Sequence, residues 1–235
     1  MGHTAIFTCI TGGYDVLRQP LVTRDGYDFI CFVGQGEKTA ERDGVWEIRE
    51  LPVSTGDAGL DSRWPKMHPH ELLQDYQTSI WIDSNVLIKG PEIYDAAERM
   101  IQEEVTWAGV MHPDRDSLYA EARKCRDMRY IGWLDLARIH FVYWFKGIPP
   151  HTGLLENNLI FRRHLEPEIV TLDELWWRKV CKFCRRDQLS LIPCMRKLGI
   201  VPALLLPRGQ NTRNNPGFEY QLHKKPWTVR KSASS

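Results

Sequence analysis

Residues 79–90 read SIWIDSNVLIKG, and how this run ends decides the fold. Ser79 to Ile82 suit a buried strand, which stops on Asp83 and Asn85 before a second apolar run, Val86 to Ile88. Side chains two apart on an extended segment point to the same face, so the carboxylate and the amide would share one side. A turn explains the same letters, because Asp, Ser and Asn all favour turns. Read as ligands, the two residues are hard oxygen donors suited to a divalent cation.

Working outward, TAIFTCIT (4–11) is β-branched and apolar and ends on Gly12-Gly13. YDFICFVG (27–34) is a second run of this kind, and VWEIREL (45–51) alternates as a third. Arg63 to Gln74 reads as a helix. PEIYDAAERMIQEEV (91–105) is the clearest amphipathic helix, with Pro in its first turn and apolar Ile93, Ala96, Ala97, Met100 and Ile101. VTWAGVMHP (105–113) returns to strand, SLYAEARKCRDM (117–128) to helix, LLENNLIFRRH (154–164) to strand and LDELWWRKVCKFC (172–184) to helix. Strands alternating with helices predict an α/β sandwich. The order is not a clean βαβ series, so the central sheet is expected to be mixed, mostly parallel and flanked by helices. With no repeat or linker, residues 1–228 are expected to form one domain and 229–235, VRKSASS, a disordered tail.

The 235 residues are 43% hydrophobic, enough for a sizeable core. Basic and acidic residues number 31 and 30, a net charge of +1, which gives no global electrostatic case for nucleic acid. Basic residues concentrate late, in FRRH, WWRKVCKFCRR and LHKKPWTVRK, which allows a local anionic site. No apolar run reaches 18 residues and the opening MGHTAIFTCITGG lacks a signal-peptide pattern. A cytoplasmic protein is expected, with peripheral contact at the inner face of a membrane still open to it. Cys9 and Cys31 read as small buried hydrophobes, and Cys181 and Cys184 form a C-x-x-C without the second pair that a zinc site needs. Trp81, Trp107, Trp133, Trp144, Trp176 and Trp177 lie in apolar contexts and are expected mostly in the core. The run YIGWLDLARIHFVYWFKGIPPHTG (130–153) also offers an aromatic platform for an acceptor, or a lid.

Several polar positions exceed a packing role. Gly12, Gly13, Tyr14 and Asp15 follow the first strand, where open α/β sheets place ligands. Arg63 and Lys66 would share one helical face and could meet a phosphate together. His223 lies in QLHKKPW beside Lys224, Lys225 and Trp227. Turns, a solvated helix face and a basic tail account for each alone; together they describe a metal and diphosphate site.

FTCITGGYD, YDFICFVG, RWPKMHPHELL, WIDSN, HPDRDSLYAEA and RDQLS occur in that order from about residue 4 to about 192. In these strings the chain resembles the glycosyltransferase-like domain, once listed as a domain of unknown function, of plant mucilage-related proteins and bacterial surface-polysaccharide loci. It is more distantly similar to the glycogenin and lipopolysaccharide galactosyltransferase class of the GT-A fold, which carries an Asp-x-Asp metal motif and a closing His with Lys-Pro-Trp. The counterparts are Asp83-Ser84-Asn85 and His223 with Lys225-Pro226-Trp227. The chain departs from that pattern in having Asn85 for the second acid and a shorter spacing after His223.

The resemblance implies a single GT-A-type domain and a metal-dependent transferase, retaining rather than inverting. It would move a sugar from a nucleotide diphosphate donor, UDP-linked, to a glycan or glycolipid acceptor in surface-polysaccharide biosynthesis. Mn²⁺ or Mg²⁺ would be held by Asp83, Asn85 and His223. Thr11, Gly12, Tyr14, Asp15, Asp28, Arg63, Lys66, Asp83 and Lys225 would hold the donor, with Tyr14 stacking on the base. Glu156, Asp187 and Gln188 are the candidates for the reacting centre, as a base or as groups that position the sugar. His112, Arg115 and Asn157 would contact the acceptor or sugar, unless the first two belong to a helix-entry network capped by Asp114 or Asp116. Two other readings are a metal-assisted amide hydrolase, since a plant member of the resembling family has been described as a ceramidase, and a non-catalytic carbohydrate-binding module.

Overall fold

The apolar runs are strands, and their order explains why they are apolar throughout. A computed structural model describes residues 3–222; His223, Lys225 and the segment 229–235 lie outside the described residues. The strands are β1 (Thr4–Ile10), β2 (Tyr27–Val33), β3 (Arg42–Asp43), β4 (Trp46–Glu50), β5 (Thr78–Ile82), β6 (Val86–Ile88), β7 (Trp107–Met111), β8 (Leu155–Arg162), β9 (Ala203–Leu204) and β10 (Phe218–Tyr220). Eight of them form one sheet in the order β3-β4-β2-β1-β5-β8-β7-β9, while β6 and β10 pair separately. β1 is parallel to both β2 and β5, and β8 runs antiparallel to β5 and β7. The result is the mixed, mostly parallel sheet of a single α/β domain.

Both faces of the sheet are covered, which makes its central strands nearly continuous hydrophobic runs. Phe7, Trp81, Ile160 and Trp176 fill one layer, and Ile6, Ile80, Ile82, Tyr94 and Phe161 fill the other. The chain moves outward from β1 through β2 to β4, then crosses back to place β5 on the other side of β1. Such a reversal opens a crevice between the two carboxyl strand ends. Thr11 to Asp15 and Asp83 to Asn85 lie at those ends.

The helices are α1 (Ala58–Asp61), α2 (Trp64–Met67), α3 (Pro69–Leu72), α4 (Glu92–Gln102), α5 (Leu118–Asp127), α6 (Trp133–Phe145), α7 (Pro167–Lys182) and α8 (Leu191–Leu198). The single helix expected over 63–74 is two one-turn pieces. Pro69 disfavours helical geometry at the residue before it, and His68 sits at φ −133°, ψ 40°. α7 starts at Pro167, earlier than the pattern suggested, with the proline in the first turn where its missing N–H costs nothing.

The 130–153 run contains a helix, α6, entered through a Gly132 N–H donating to Asp135 Oδ2 at 3.0 Å. Its Ile139 and Tyr143 are buried, whereas Trp133 (66%), Leu134 (87%), Phe141 (67%), Trp144 (73%) and Phe145 (77%) are exposed. Trp133 and Trp144 are therefore surface residues, not core; Trp81, Trp107 and Trp176 are buried as expected. Cys9 and Cys31 are buried free thiols. No helix among the described residues is long and apolar enough to cross a membrane.

Candidate functional site

Gly12 and Gly13 turn the chain at the end of β1 through φ of +62° and +58°, a region that glycine enters without steric cost. The turn is fixed from within. Thr11 Oγ1 donates to the Ala58 carbonyl at 2.7 Å, and the Gly12 N–H donates to both oxygens of Glu37 at 2.8 and 3.1 Å. Thr11 and Gly12 thus shape the loop through protein contacts. Asp15, buried, accepts from the Val16 N–H and from Ser84 Oγ, each at 2.9 Å. The second bond ties the loop after β1 to the loop after β5 across the crevice.

Asp83 extends β5 by one hydrogen bond, its N–H donating to the Asn158 carbonyl at 2.9 Å. Its Oδ1 accepts from Trp81 Nε1 at 2.6 Å and lies 3.2 Å from Lys66 Nζ. That ammonium is buried, 3.0 Å from Asp187 Oδ2, and 5.0 Å from the centre of the Trp81 ring. Lys66 is therefore committed to two carboxylates, and the charge of Arg63, three residues before it, acts on the same two. Arg63 precedes α2 and donates to the Gly59 carbonyl.

Asp187 opens a 3₁₀ turn, Asp187–Leu189, anchored by Trp176 Nε1 donating to its carbonyl at 3.0 Å. Burial by itself would raise the Asp187 carboxyl, but Lys66, Arg63 and Arg186 hold it well below the ordinary carboxylate range. A carboxylate with so little proton affinity is a weak base. Asp187 organises cations; Gln188 beside it donates to the Leu155 carbonyl at 3.1 Å and fastens the turn to β8.

On the opposite wall, the β7–β8 register jumps from Gly109↔Ile160 to Val110↔Glu156. The intervening residues of β8 leave the ladder, as in a bulge, and re-aim their side chains. Glu156 Oε1 accepts from Arg213 Nη2 at 2.6 Å and from Arg213 Nε at 3.2 Å. Its Oε2 is buried without a close hydrogen-bond partner among the described residues. Burial raises the Glu156 carboxyl, Arg213 opposes that shift, and the Asp83 charge adds to it.

Among the described residues, Asn157 Oδ1 and Nδ2, Asn158 Oδ1 and Asn85 Oδ1 are likewise buried without partners. Each such atom costs about 1–3 kcal/mol, so these asparagines call for further polar groups. Asn85 Nδ2 donates to the Gln221 carbonyl at 2.9 Å, which leaves its Oδ1 as a hard donor. This oxygen and the second oxygen of Asp83 are hard donors of the kind that could hold a divalent cation such as Mg²⁺ or Mn²⁺. Tyr14 borders the same space, where the charges of Asp15, Arg63 and Arg186 act on its phenol.

Other expectations are displaced. Asp28 pairs in register with Ala5 near the start of β2, and its Oδ2 meets His3 and Tyr76 at 3.0 and 3.1 Å. β2 is parallel to β1, so its ligand end lies at Val33, about 17 Å further along; Glu37 is the carboxylate that the loop after β2 delivers to Gly12.

His112 is buried, its Nδ1 accepting the Asp114 and Arg115 N–H groups at 3.1 Å each. It is the hub of a turn, the helix-entry arrangement. Ser117, and neither Asp114 nor Asp116, caps α5, through the Ala120 N–H at 3.4 Å. Arg115 pairs with Glu121 at 2.5 Å. It also lines a groove of about 790 Å³ beside α5 and α6, with Tyr119, Arg123, His140, Trp144 and His151. Arg186 and Arg213 were missed from sequence. Arg186 had one signal, adjacency to Asp187; Arg213 sits in a polar loop without any.

The family model described as TOD1/MUCI70, glycosyltransferase-like domain, matches residues 1–207. The chain belongs to this family. The TOD1/MUCI70 match takes in both crevice loops, the α2 segment, β8 and the Asp187 turn, and it ends before Arg213. No curated protein matches the chain. A glycosyltransferase-like domain implies, in general, a sugar donor and an acceptor.

Proposed function

We propose that the protein is a metal-dependent glycosyltransferase that moves a sugar from a UDP-linked donor to a glycan or glycolipid acceptor in surface-polysaccharide assembly. One observation carries this reading: Asp83, Lys66, Arg63 and Arg186 converge at the switch point between β1 and β5. A nucleoside diphosphate gains charge as the sugar departs, and fixed cations aimed at that charge lower the barrier. A divalent cation held by Asp83 and Asn85 would add Lewis-acid stabilisation of the same leaving group. Tyr14 borders the nucleotide. Asp187 fixes Lys66 and gathers the two guanidinium groups.

Glu156, oriented by Arg213, is the carboxylate that positions the transferred sugar. By similarity to the glycogenin-like class the transfer is retaining, a course that needs no separate base. The groove lined by Arg115 supports an acceptor path. The exposed aromatic face of α6 supports an acceptor presented by lipid at the inner face of a membrane, since such faces settle at the headgroup boundary.

The deciding experiment is isothermal titration with UDP, and with GDP as comparison, first in Mn²⁺ and then in EDTA. Metal-dependent binding of UDP is the expected result. Absence of binding by either nucleotide, in protein shown to be folded, would leave Asp83 as a turn residue.

A further inference from the structure

Two residues beyond Lys66, the segment His68-Pro69-His70-Glu71 meets Glu174 of α7. His68 Nε2 lies 3.6 Å from Glu174 Oε1, and His70 Nε2 lies 3.5 Å from the same oxygen and 3.9 Å from Glu71 Oε1. Ligand atoms of His68, Glu71 and Glu174 all fall within 4.8 Å of one another. These separations are long for hydrogen bonds, whose N···O distances run about 2.7–3.2 Å. The His68–Glu174 separation, 3.6 Å, matches the edge of a tetrahedron around a metal, about 3.3–3.6 Å for metal–ligand bonds of about 2.0–2.2 Å.

The His68 ring gives a second, independent indication. Its Nδ1 lies 2.8 Å from the Trp64 carbonyl oxygen, an atom that only accepts, so Nδ1 carries the proton. The ring is held there by stacking on Trp64 at 4.4 Å and 9°, with the Trp177 ring edge-on at 5.4 Å. In the neutral imidazole, Nε2 is left with a lone pair, buried, and aimed at a carboxylate oxygen. Two electron-rich atoms in that relation repel unless a cation lies between them. An imidazole that donates one N–H to a backbone carbonyl and turns its other nitrogen to a ligand cluster is the usual metal-binding arrangement.

We infer that His68, Glu71 and Glu174 form a zinc site that fastens the α2–α3 segment to α7. One imidazole nitrogen and two carboxylate oxygens suit Zn²⁺, and His70 stands at the rim of the cluster, 3.5 Å from Glu174 Oε1. The fold supplies a reason for it. α2 and α3 are single turns, too short to be stable helices on their own, yet they carry Lys66 to the crevice.

The test is titration of the tag-free, EDTA-dialysed full chain with ZnCl₂, read together with the thermal midpoint. One equivalent of zinc should bind and raise the midpoint. Glu174→Gln, at a part-exposed position, should weaken zinc binding about tenfold or more while the metal-free midpoint stays where it was; Glu71→Gln, also exposed, is the second variant. Asp83→Asn should bind zinc as the native protein does. No uptake by folded native protein, equal uptake by both ligand variants, or loss of uptake in Asp83→Asn alone would each overturn the inference, the last by putting the ion in the nucleotide crevice.

Discussion

Asp187 and Glu156 are buried alike, at 9% and 7% exposure, yet their carboxyls shift in opposite directions. Asp187 has Lys66, Arg63 and Arg186 around it and is held far below its ordinary range; Glu156 has burial and the Asp83 charge against one cation, Arg213, with help from Asn158, and is raised. Desolvation is the largest single influence on both, so the sign is set by the neighbours. One wall is a finished ion network. The other retains proton affinity and an unpartnered oxygen, and the transferred group belongs beside it.

The comparison breaks most severely if the finished wall loses its centre. Lys66→Met leaves Asp187 and Asp83 facing each other without their shared cation. Removing one partner of a buried pair costs about 3–5 kcal/mol, and a urea titration should show a loss of that size. A loss within about 0.5 kcal/mol, the range of ordinary surface substitutions, would mean that Arg63 and Arg186 neutralise the wall without the lysine.

Glu156→Gln tests the unfinished wall and should separate activity from stability. The raised folded carboxyl binds its proton above the range where the unfolded one releases it, so native stability falls as pH rises through that window. A neutral glutamine removes this fall, and the variant should be at least as stable as the native protein near neutral pH. Transfer should drop about a hundredfold, with UDP affinity retained. Lost nucleotide binding would move Glu156 into the donor site.

Asp187→Asn should show the opposite pH behaviour. Because the folded carboxyl lies below its unfolded value, near 3.9, its stabilisation is present above that value and lost as pH falls toward the folded one. The variant should therefore be less stable than the native protein near pH 7, and the gap should narrow below about pH 4. Urea midpoints at several pH values would measure it; a constant gap would show that packing, not charge, sets the cost.

Much of this fold was legible because β1, β2 and β5 are buried on both faces and therefore read as unbroken apolar runs. α2 and α3 were not, because Pro69 interrupts a segment whose composition otherwise reads as one helix. α6 hid for another reason: Trp133, Phe141, Trp144 and Phe145 are apolar on its solvent side, which erases the period that marks a surface helix. In the crevice, Asp83, Glu156 and Asp187 could be picked out near element ends. Their neighbours could not, since Lys66 meets Asp187 from 121 residues away and Arg213 comes from a loop with no pattern. Asp28 was misplaced because a residue at the start of a parallel strand was treated as if it stood at the end. The His68 cluster was missed because zinc was sought at Cys181 and Cys184, while the residues of the proposed site divide between HPHE and a glutamate on another helix.

The smallest expected effect concerns what joins the two loops. Ser84 Oγ donates to Asp15 Oδ2 across the floor of the crevice, and a part-buried hydrogen bond of this kind contributes about 0.5–1.5 kcal/mol. Ser84→Ala should lower stability by about that amount and weaken UDP binding by about tenfold or less, the same energy expressed in affinity. Binding should remain metal-dependent, because Asp83 and Asn85 are untouched. Titration with UDP in Mn²⁺ and in EDTA reads both properties at once. If affinity holds while stability falls, the loops after β1 and β5 keep their relative position through the β1–β5 ladder alone, and the Ser84–Asp15 bond belongs to the fold and not to the donor site.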